Sequence, residues 1–424
     1  MLAVHAMTTG DILTTTGRRV ASGWRQPWAV AEVFAGVGSV AQGFARAAGF
    51  DIAYLNDIDP KARSTYRVNF DSNNVVYELR DVQEVTGRII HKAAVGRPIA
   101  GLLGCPPCQG WSAAGQRKET DPRNGLLGDF YRLVAQVKPL FFVMENVPTV
   151  ADRAELSVAL SSLRPRYRTW HGVLNAASYG LPQSRQRTLV IGYRNDLSIM
   201  PTAPAPTHAG RRPLWDYRAE RLVKPTADNL DALLGAAPRL GSSDRAQYSM
   251  TQHYPADLSS LPNFVSVKDA IGDLETADKP RRQSAYAKHL SAGVSTPENH
   301  QPWRHRADLV ERMCTVEEGR RPPLEATNGR RYYSQAYARL HRSGLARTIT
   351  TNFHNPGCGR FLHYSLHRSI TVREAARLQG FSDAFVFVGP PTWQERLIGN
   401  AFPPLWAEAI ACHVAGELAE VLAR

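Results

Sequence analysis

The segment Phe34-Ala35-Gly36-Val37-Gly38-Ser39-Val40-Ala41 follows a short apolar run, residues 29–34, and opens a stretch of helical spacing, residues 40–48. It fits the pattern Gly-x-Gly-x-x-Gly/Ala, whose glycines permit a tight strand-to-helix turn and let a ligand approach the backbone. The next apolar run, residues 51–55, leads into Asp57, and a carboxylate there can accept hydrogen bonds from ribose hydroxyls. We therefore predict a nucleoside-containing cofactor, and the pattern does not separate NAD from S-adenosylmethionine.

Three further strand-sized apolar runs lie at residues 99–103, 140–144 and 188–192, with helical patterns between most of the runs. Short strands that alternate with helices are typical of a parallel, doubly wound sheet. The predicted fold class is therefore α/β with a Rossmann-like sheet, which binds its ligands at the carboxyl ends of the strands.

The character of the sequence changes along the chain, which indicates four regions. Residues 1–27 are Thr-rich, basic and aperiodic, and we expect a flexible leader. Residues 28–200 would form the catalytic and cofactor-binding domain. Residues 201–388 begin with a proline-rich linker and would form a smaller domain, with a helix at Val372–Leu378 and a strand at 384–388. Residues 389–424 would return to the first domain through a helix at 405–422.

The composition narrows the class of protein and of partner. The 424 residues carry 51 Lys and Arg against 38 Asp and Glu, a net charge of +13, which favours an anionic partner and nucleic acid first. The sequence has no apolar stretch long enough to span a membrane, and we expect no signal peptide. Five cysteines in a chain of this size indicate a reducing compartment, so we expect a cytoplasmic protein.

Two cysteines lie in the loop after the run at 99–103, in the segment Cys105-Pro106-Pro107-Cys108. A C-x-x-C pair near a βαβ pattern can be a thiol–disulfide redox site. Alternatively, one cysteine is a covalent nucleophile at the carboxyl edge of the sheet. A metal site is not expected, because it would need more ligands and the sequence has no second C-x-x-C.

Charged residues next to two other strands favour the second interpretation. Glu145 follows the run at 140–144, and Arg185 and Arg187 precede the run at 188–192, on the same side of an extended segment. A nucleoside site, a cysteine, an acid and two arginines at one sheet edge make up the composition of a covalent active site.

The sequence here resembles the C5-cytosine DNA methyltransferases, from about Trp28 to the C-terminus. The motifs that carry the resemblance, in order, are Phe34-Ala35-Gly36-Val37-Gly38, Pro106-Pro107-Cys108-Gln109, Glu145-Asn146-Val147, Gln183-x-Arg185-x-Arg187, the segment from Arg373 to Phe381, and Ile398-Gly399-Asn400-Ala401. The resemblance implies a methyltransferase sheet with a small target-recognition domain. It also implies double-stranded DNA as partner and S-adenosyl-L-methionine as cofactor.

The resemblance also implies a role for each site residue. Cys108 would add to C6 of a flipped-out cytosine, a protonated Glu145 would hydrogen-bond N3, and Arg187 would hold O2. Arg185 would support the loop or contact DNA, and residues 109–124 could close over the base. The expected cofactor-binding residues are Phe34, Gly36, Gly38, Asp57, Ile58, Asp81, Val82, Pro107 and Asn400.

Other functions remain open at this point. We expect a bacterial, monomeric, nucleoid-associated enzyme that protects DNA from a separate cognate restriction endonuclease. A related RNA methyltransferase is the first alternative, and the long variable region argues for DNA readout instead. A NAD-dependent or thiol-redox enzyme is the second, and it would leave the motifs at Glu145, Arg187 and Asn400 without a purpose.

Overall fold

The computed structural model describes residues 27–47, 49–70, 75–107, 125–234, 254–255, 257–275, 283–322 and 335–422. Cys108, the segment 109–124 and residues 1–26 of the predicted leader lie outside the described residues. Within the described part, none of the helices is both long and apolar enough to cross a membrane.

A seven-stranded sheet forms the centre of the molecule, with the strand order β3-β2-β1-β4-β5-β8-β6. Its strands are β1 (Trp28–Val33), β2 (Phe50–Asp57), β3 (Val76–Leu79), β4 (Ile99–Gly104), β5 (Phe141–Asn146), β6 (Tyr167–Asn175) and β8 (Gln186–Arg194). Each of the five apolar runs in the sequence forms one of these strands, which confirms the α/β class. Strand β6 was not predicted, because it is not a continuous apolar run.

The prediction of a parallel sheet is wrong for the strands at the β6–β8 edge. Strands β1 to β5 pair in parallel, whereas β8 runs antiparallel to both β5 and β6. The connection from β6 to β8 holds only a helical turn and the short strand β7 (Gln183–Ser184). Such a connection has no crossover helix, so the chain reverses and β8 lies antiparallel beside β6.

Helices cover both faces of the sheet. On one face lie α1 (Ser39–Arg46) and the C-terminal helix α12 (Pro404–Leu422). On the other lie α3 (Gly87–Ala93), α4 (Leu126–Val137) and α5 (Ala154–Leu163). Helix α2 (Pro60–Asn69) follows β2. The predicted C-terminal helix is thus confirmed, and it packs on the sheet beside the helix that follows the glycine turn.

The contact between α1 and α12 is close enough to require a glycine. A β-carbon on Gly43 would lie 2.4 Å from Cβ of Ala407 and 2.6 Å from the Pro404 carbonyl oxygen. Real β-carbons do not approach other atoms this closely, so any side chain here would push the two helices apart.

Gly43→Ala should therefore lower the free energy of unfolding by about 1–3 kcal/mol, the usual cost of overpacking. Gly416→Ala on α12 is the matched control, since its β-carbon would meet no described atom within 4 Å. That control should raise stability by about 0.5–1 kcal/mol through its effect on helix propensity. Urea unfolding of both variants checks this, and equal effects would refute the packing argument.

The remaining elements follow β8 and contain short strands and helices. They are β9 (Leu214–Asp216), β10 (Arg221–Val223), α6 (Leu230–Leu233), α7 (Val267–Ile271), α8 (Ala285–Leu290), α9 (Ala307–Cys314), β11 (Ala346–Arg347), α10 (Val372–Leu378) and α11 (Pro391–Asn400). Strands β9 and β10 form a hairpin, and β11 pairs with β7. The predicted helix at Val372–Leu378 is confirmed, and a capping box between Thr371 and Glu374 defines its start.

The strand predicted at 384–388 is not formed. Side chains from elsewhere hold its backbone: the N–H of Val386 donates to Asn69 Oδ1 at 2.8 Å, and that of Phe387 donates to Asn299 Oδ1 at 3.0 Å. These donors are therefore already bonded and do not pair with a neighbouring strand. The apolar side chains that suggested a strand pack in a cluster with α10 and α11 instead.

Candidate active site

The glycine turn lies at the carboxyl end of β1 and has the backbone that its sequence predicts. Gly36 and Gly38 have φ of +53° and +73°, in the left-handed region that favours glycine, and Phe34 also lies there at +57°. A β-carbon on Gly38 would lie 2.7 Å from the Tyr66 ring, so this glycine permits close packing of α2. A β-carbon on Gly36 would meet no described atom within 4 Å. The turn therefore has open space over Gly36.

Asp57 ends β2 and holds the glycine turn in place. One carboxylate oxygen accepts the N–H of Gly36 at 2.7 Å, and the other accepts the N–H of Asp59 at 2.9 Å. Burial raises the pKa of Asp57, and the N–H donors partly oppose that rise. Each oxygen keeps a second lone pair, so the carboxylate can still accept a ligand hydroxyl.

Glu32 was not predicted as a site residue, yet it lies beneath the turn. It is a buried residue of β1, and its carboxylate accepts the N–H of Ala41 in the first turn of α1 at 2.8 Å. Burial raises its pKa well above the usual value, and the nearby charge of Asp57 adds to this. An acid within the otherwise apolar run 29–34 was the signal that could have identified it.

Three predicted cofactor residues lie beyond β2 and β3. Ile58, next to Asp57, is 68% exposed, which is unusual for an apolar side chain of this size. Val82 is buried, and Asp81 accepts the N–H of Gln83 at 3.0 Å at the start of a short helical turn. Asp81 is exposed, so its carboxylate remains accessible.

Glu145 and Arg187 form an ion pair at the carboxyl end of β5. Arg187 Nε lies 2.7 Å from Glu145 Oε1, and the two side chains are only 14% and 12% exposed. The antiparallel pairing of β5 with β8 brings them together, since Asn146 is opposite Thr188. This largely enclosed acid–base pair is therefore fixed by the sheet.

Cys105 directly follows β4 and lies beside this pair. Burial raises the pKa of its thiol well above the usual value, and the charges of Glu145 and Glu32 raise it further. Asn146 Nδ2 donates to the Pro106 carbonyl at 3.1 Å, which ties the loop to the end of β5. The chain continues through the half-buried Pro107 to Cys108. A thiol like that of Cys105 stays protonated at neutral pH and is a poor nucleophile.

Arg185 does not share the environment of Arg187, contrary to the expectation that both lie on one side of an extended segment. It is buried between β7 and β8, and its guanidinium donates to the carbonyl of Ala401 at 3.1 Å and to that of Ile349 at 3.5 Å. Strand β7 ends at Ser184 and β8 begins at Gln186, so the extended backbone is interrupted at Arg185. The side chains of Arg185 and Arg187 therefore point in different directions. Two roles were expected for Arg185, supporting the loop or contacting DNA, and this placement favours the first.

Asn400 is the last residue of α11 and is exposed. The preceding glycine is required by packing, because a β-carbon on Gly399 would lie 2.4 Å from the backbone of Thr350. Ala401, whose carbonyl accepts a hydrogen bond from Arg185, directly follows Asn400. The Ile398-Gly399-Asn400-Ala401 motif is thus fastened to the segment that carries the two arginines.

A model of the family described as C-5 cytosine-specific DNA methylase matches residues 28–415. The chain belongs to this family. Among its relatives, Type II methyltransferase M.XorII of Xanthomonas oryzae pv. oryzae is 33% identical, covering 89% of this chain and 82% of the relative. Type II methyltransferase M1.HphI of Haemophilus parahaemolyticus is 30% identical, covering 90% and 84%.

Solved structures of C5-type methyltransferases share the fold. A prophage-encoded protein of E. coli, described as a DNA modification methyltransferase, aligns with a TM-score of 0.65 and 24% identity over 94% of this chain and all of that chain. A Spodoptera frugiperda DNMT2 structure aligns with a TM-score of 0.54 and 14% identity, over 92% and 99%. The Rossmann-like methyltransferase sheet predicted from the motifs is thereby confirmed.

Membership in the C-5 cytosine-specific DNA methylase family also decides between the classes of function left open by the sequence. The enzyme is a DNA (cytosine-5) methyltransferase, and its family is one whose members use S-adenosylmethionine.

Proposed function

We propose that this enzyme methylates C5 of a flipped-out cytosine within a specific sequence of double-stranded DNA, through a covalent bond between Cys108 and C6. The observation that carries the proposal is the enclosed Glu145–Arg187 pair, fixed at the sheet edge beside the loop that leads to Cys108. The other cysteine of that loop, Cys105, is half-buried, and burial and the charge of Glu145 raise the pKa of its thiol.

The chain's own residues supply the chemistry at the base. Cytosine C5 is a poor nucleophile, and addition of the Cys108 thiolate to C6 converts the ring to an enamine that is nucleophilic at C5. Glu145 would donate a proton to N3 as the thiolate adds, and Arg187 would hold O2 and stabilise the charge that develops there. After methylation, a water molecule would take the C5 proton, the thiolate would leave C6, and N3 would return its proton to Glu145, which restores the aromatic ring.

The residues at the glycine turn fit S-adenosyl-L-methionine. The open space over Gly36, the lone pairs of Asp57 and the exposed Ile58 offer a backbone cradle, a ribose acceptor and an apolar contact. Phe34, Gly38, Asp81, Val82, Pro107 and Asn400 complete the proposed set. When bound, the cofactor supplies an electrophilic methyl group on sulfur.

Residues 201–388 are proposed as the target-recognition domain, and the net charge of +13 favours the DNA backbone. The relatives named above are Type II methyltransferases, so we propose that this enzyme protects cytoplasmic, nucleoid-associated DNA from a separate restriction endonuclease. We propose that it acts as a monomer, because one target base occupies one site.

The Asp57→Ala variant should bind S-adenosylmethionine about 1–3 kcal/mol more weakly, the usual cost of losing hydrogen bonds to a charged group. It should methylate the same DNA sequence as the wild type. Asp51→Ala is the control, because Asp51 lies at the opposite end of β2 and pairs with Arg97 on the surface. Isothermal titration measures the affinities. An altered target with unchanged cofactor affinity would contradict the role of Asp57.

Two measurements test the proposed reaction itself. Bisulfite sequencing of DNA from cells that express the enzyme should show 5-methylcytosine at one sequence context. DNA that carries 5-fluorocytosine at that position should form a stable adduct with the protein, because fluorine cannot leave C5 as a proton does. Mass spectrometry should locate the adduct on the peptide with Cys108. An unmethylated genome, or an adduct on another residue, would refute the proposal.

A further inference from the structure

Two buried glutamine side chains form a hydrogen-bonded network between the two halves of the active site. Gln183 lies in β7 and Gln379 follows α10, and both are fully buried. Gln183 Nε2 donates to Gln379 Oε1 at 2.6 Å and to the Leu378 carbonyl at 3.1 Å. These side chains join segments that are far apart in the sequence.

Gln379 continues the network to the motif that carries Asn400. Its Nε2 donates to the Ala401 carbonyl at 2.7 Å and to the Ile398 carbonyl at 3.2 Å. Both donor positions of each amide are therefore used, since a side-chain amide has two N–H groups. Neither side chain can turn without leaving a buried polar group unpaired, which makes the arrangement stiff.

The network also reaches the segment before Arg187. Gln183 Oε1 accepts the N–H of Ile349 at 3.0 Å, and Arg185 donates to the same Ala401 carbonyl as Gln379. The segment 183–187 carries the arginine that pairs with Glu145. The segment 398–401 carries Asn400, which is proposed above to bind the cofactor.

We propose that Gln379 is a positioning residue that fixes the separation of these two segments, and so places the target cytosine relative to the methyl donor. The proposal rests on the proposed function, because only then do the two segments hold the base and the cofactor. Gln379 touches neither of them; it acts through Ala401 and through Gln183.

Gln379→Met tests this, because methionine has a similar shape and cannot donate hydrogen bonds. We expect the KM for S-adenosylmethionine to rise and kcat to fall, each about tenfold. The reason is that misplacement of the reacting groups by a fraction of an ångström is enough to slow the reaction by this factor. Gln183→Met should give the same changes. The double variant should be little worse than either single one, since the two residues act as a unit.

Asn69→Leu is the matched control. Asn69 also holds a distant backbone segment through two hydrogen bonds, with its Nδ2 and Oδ1 bonded to the carbonyl and N–H of Val386, both at 2.8 Å. This variant should lower the melting temperature about as much as Gln379→Met but leave KM and kcat unchanged.

Three results decide the matter. A kinetic change in Gln379→Met that the control lacks supports the proposal, and Gln183→Met provides the same comparison if Gln379→Met does not fold. A lower melting temperature with unchanged KM and kcat overturns it, since the amides then only stabilise the fold. Wild-type protein that forms no 5-methylcytosine would overturn the proposed function first, and this inference with it.

Discussion

The Cys108→Ala variant is expected to lose methyl transfer completely while it binds S-adenosylmethionine with nearly unchanged affinity. The thiol serves the base and not the cofactor, and without it C5 cannot become nucleophilic. Methyl transfer to a DNA substrate and calorimetric binding of the cofactor measure the two quantities separately. Residual transfer well above background would show that C5 is activated without this thiol.

The companion variant Cys105→Ala should retain substantial activity. Burial and the neighbouring carboxylates raise the pKa of Cys105, so its thiol is protonated and unreactive over the neutral range. Iodoacetamide should accordingly leave Cys105 unmodified in the folded enzyme, as peptide mapping would show. If Cys105→Ala is the inactive variant and Cys108→Ala the active one, the nucleophile has been assigned to the wrong cysteine.

Exchange of residues 201–345 for the corresponding segment of a relative with another target is expected to change which DNA sequence is methylated. The reaction itself should be unchanged, because the glycine turn, Glu145 and Arg187 all precede the segment. Sequence is read at base edges, whereas phosphate contacts only position the protein. Methylation-pattern sequencing of the chimaera checks this. An unchanged target would place sequence readout elsewhere.

Single arginine variants within this segment should fall into distinct groups. Arg218 and Arg221, on the hairpin of β9 and β10, are exposed. Replacing an arginine that reads a base should cost about 1–3 kcal/mol of DNA-binding free energy and relax one position of the target. Replacing an arginine that binds phosphate should weaken binding to all DNA sequences alike.

Arg339 belongs to a third group that the composition did not predict. It is buried and donates to the carbonyls of Val316 at 2.7 Å, and of His363 and Met313 at 2.6 Å each. Arg339→Ala should therefore lower the melting temperature without relaxing the target. The arginine content of this segment thus reflects internal packing as well as DNA contacts. If no arginine variant alters the target while changes in 28–198 do, recognition has been assigned to the wrong region.

The sequence predicted the strands and the chemical groups where the signal is local. The glycine turn is one example: positive φ at Gly36 and Gly38 is a property of the residues themselves, and Asp57 follows at the end of the next strand. The helix Val372–Leu378 is another, because its capping box lies within four consecutive residues. Such features depend only on residues that are close to one another in the sequence.

Other features depend on residues that are distant in the chain. The run 384–388 has the composition of a strand, but Asn69 and Asn299 hold its backbone in a loop. Glu145 and Arg187 were each expected at the site, yet their direct pairing follows from the antiparallel direction of β8. Arg185 was grouped with Arg187 by spacing, and it bonds Ala401 instead.

The sequence by itself therefore determined the α/β class and the glycine turn, and it predicted the set of groups that cytosine methylation needs, because each follows from residue type and short-range spacing. The tertiary structure decided how these groups are used. Only it shows that the half-buried Cys105 lies beside Glu145 and Glu32, and that Gln183 and Gln379 join the two sides of the site. The physical reason is that burial, pKa and hydrogen-bond partners depend on which segments lie together in space.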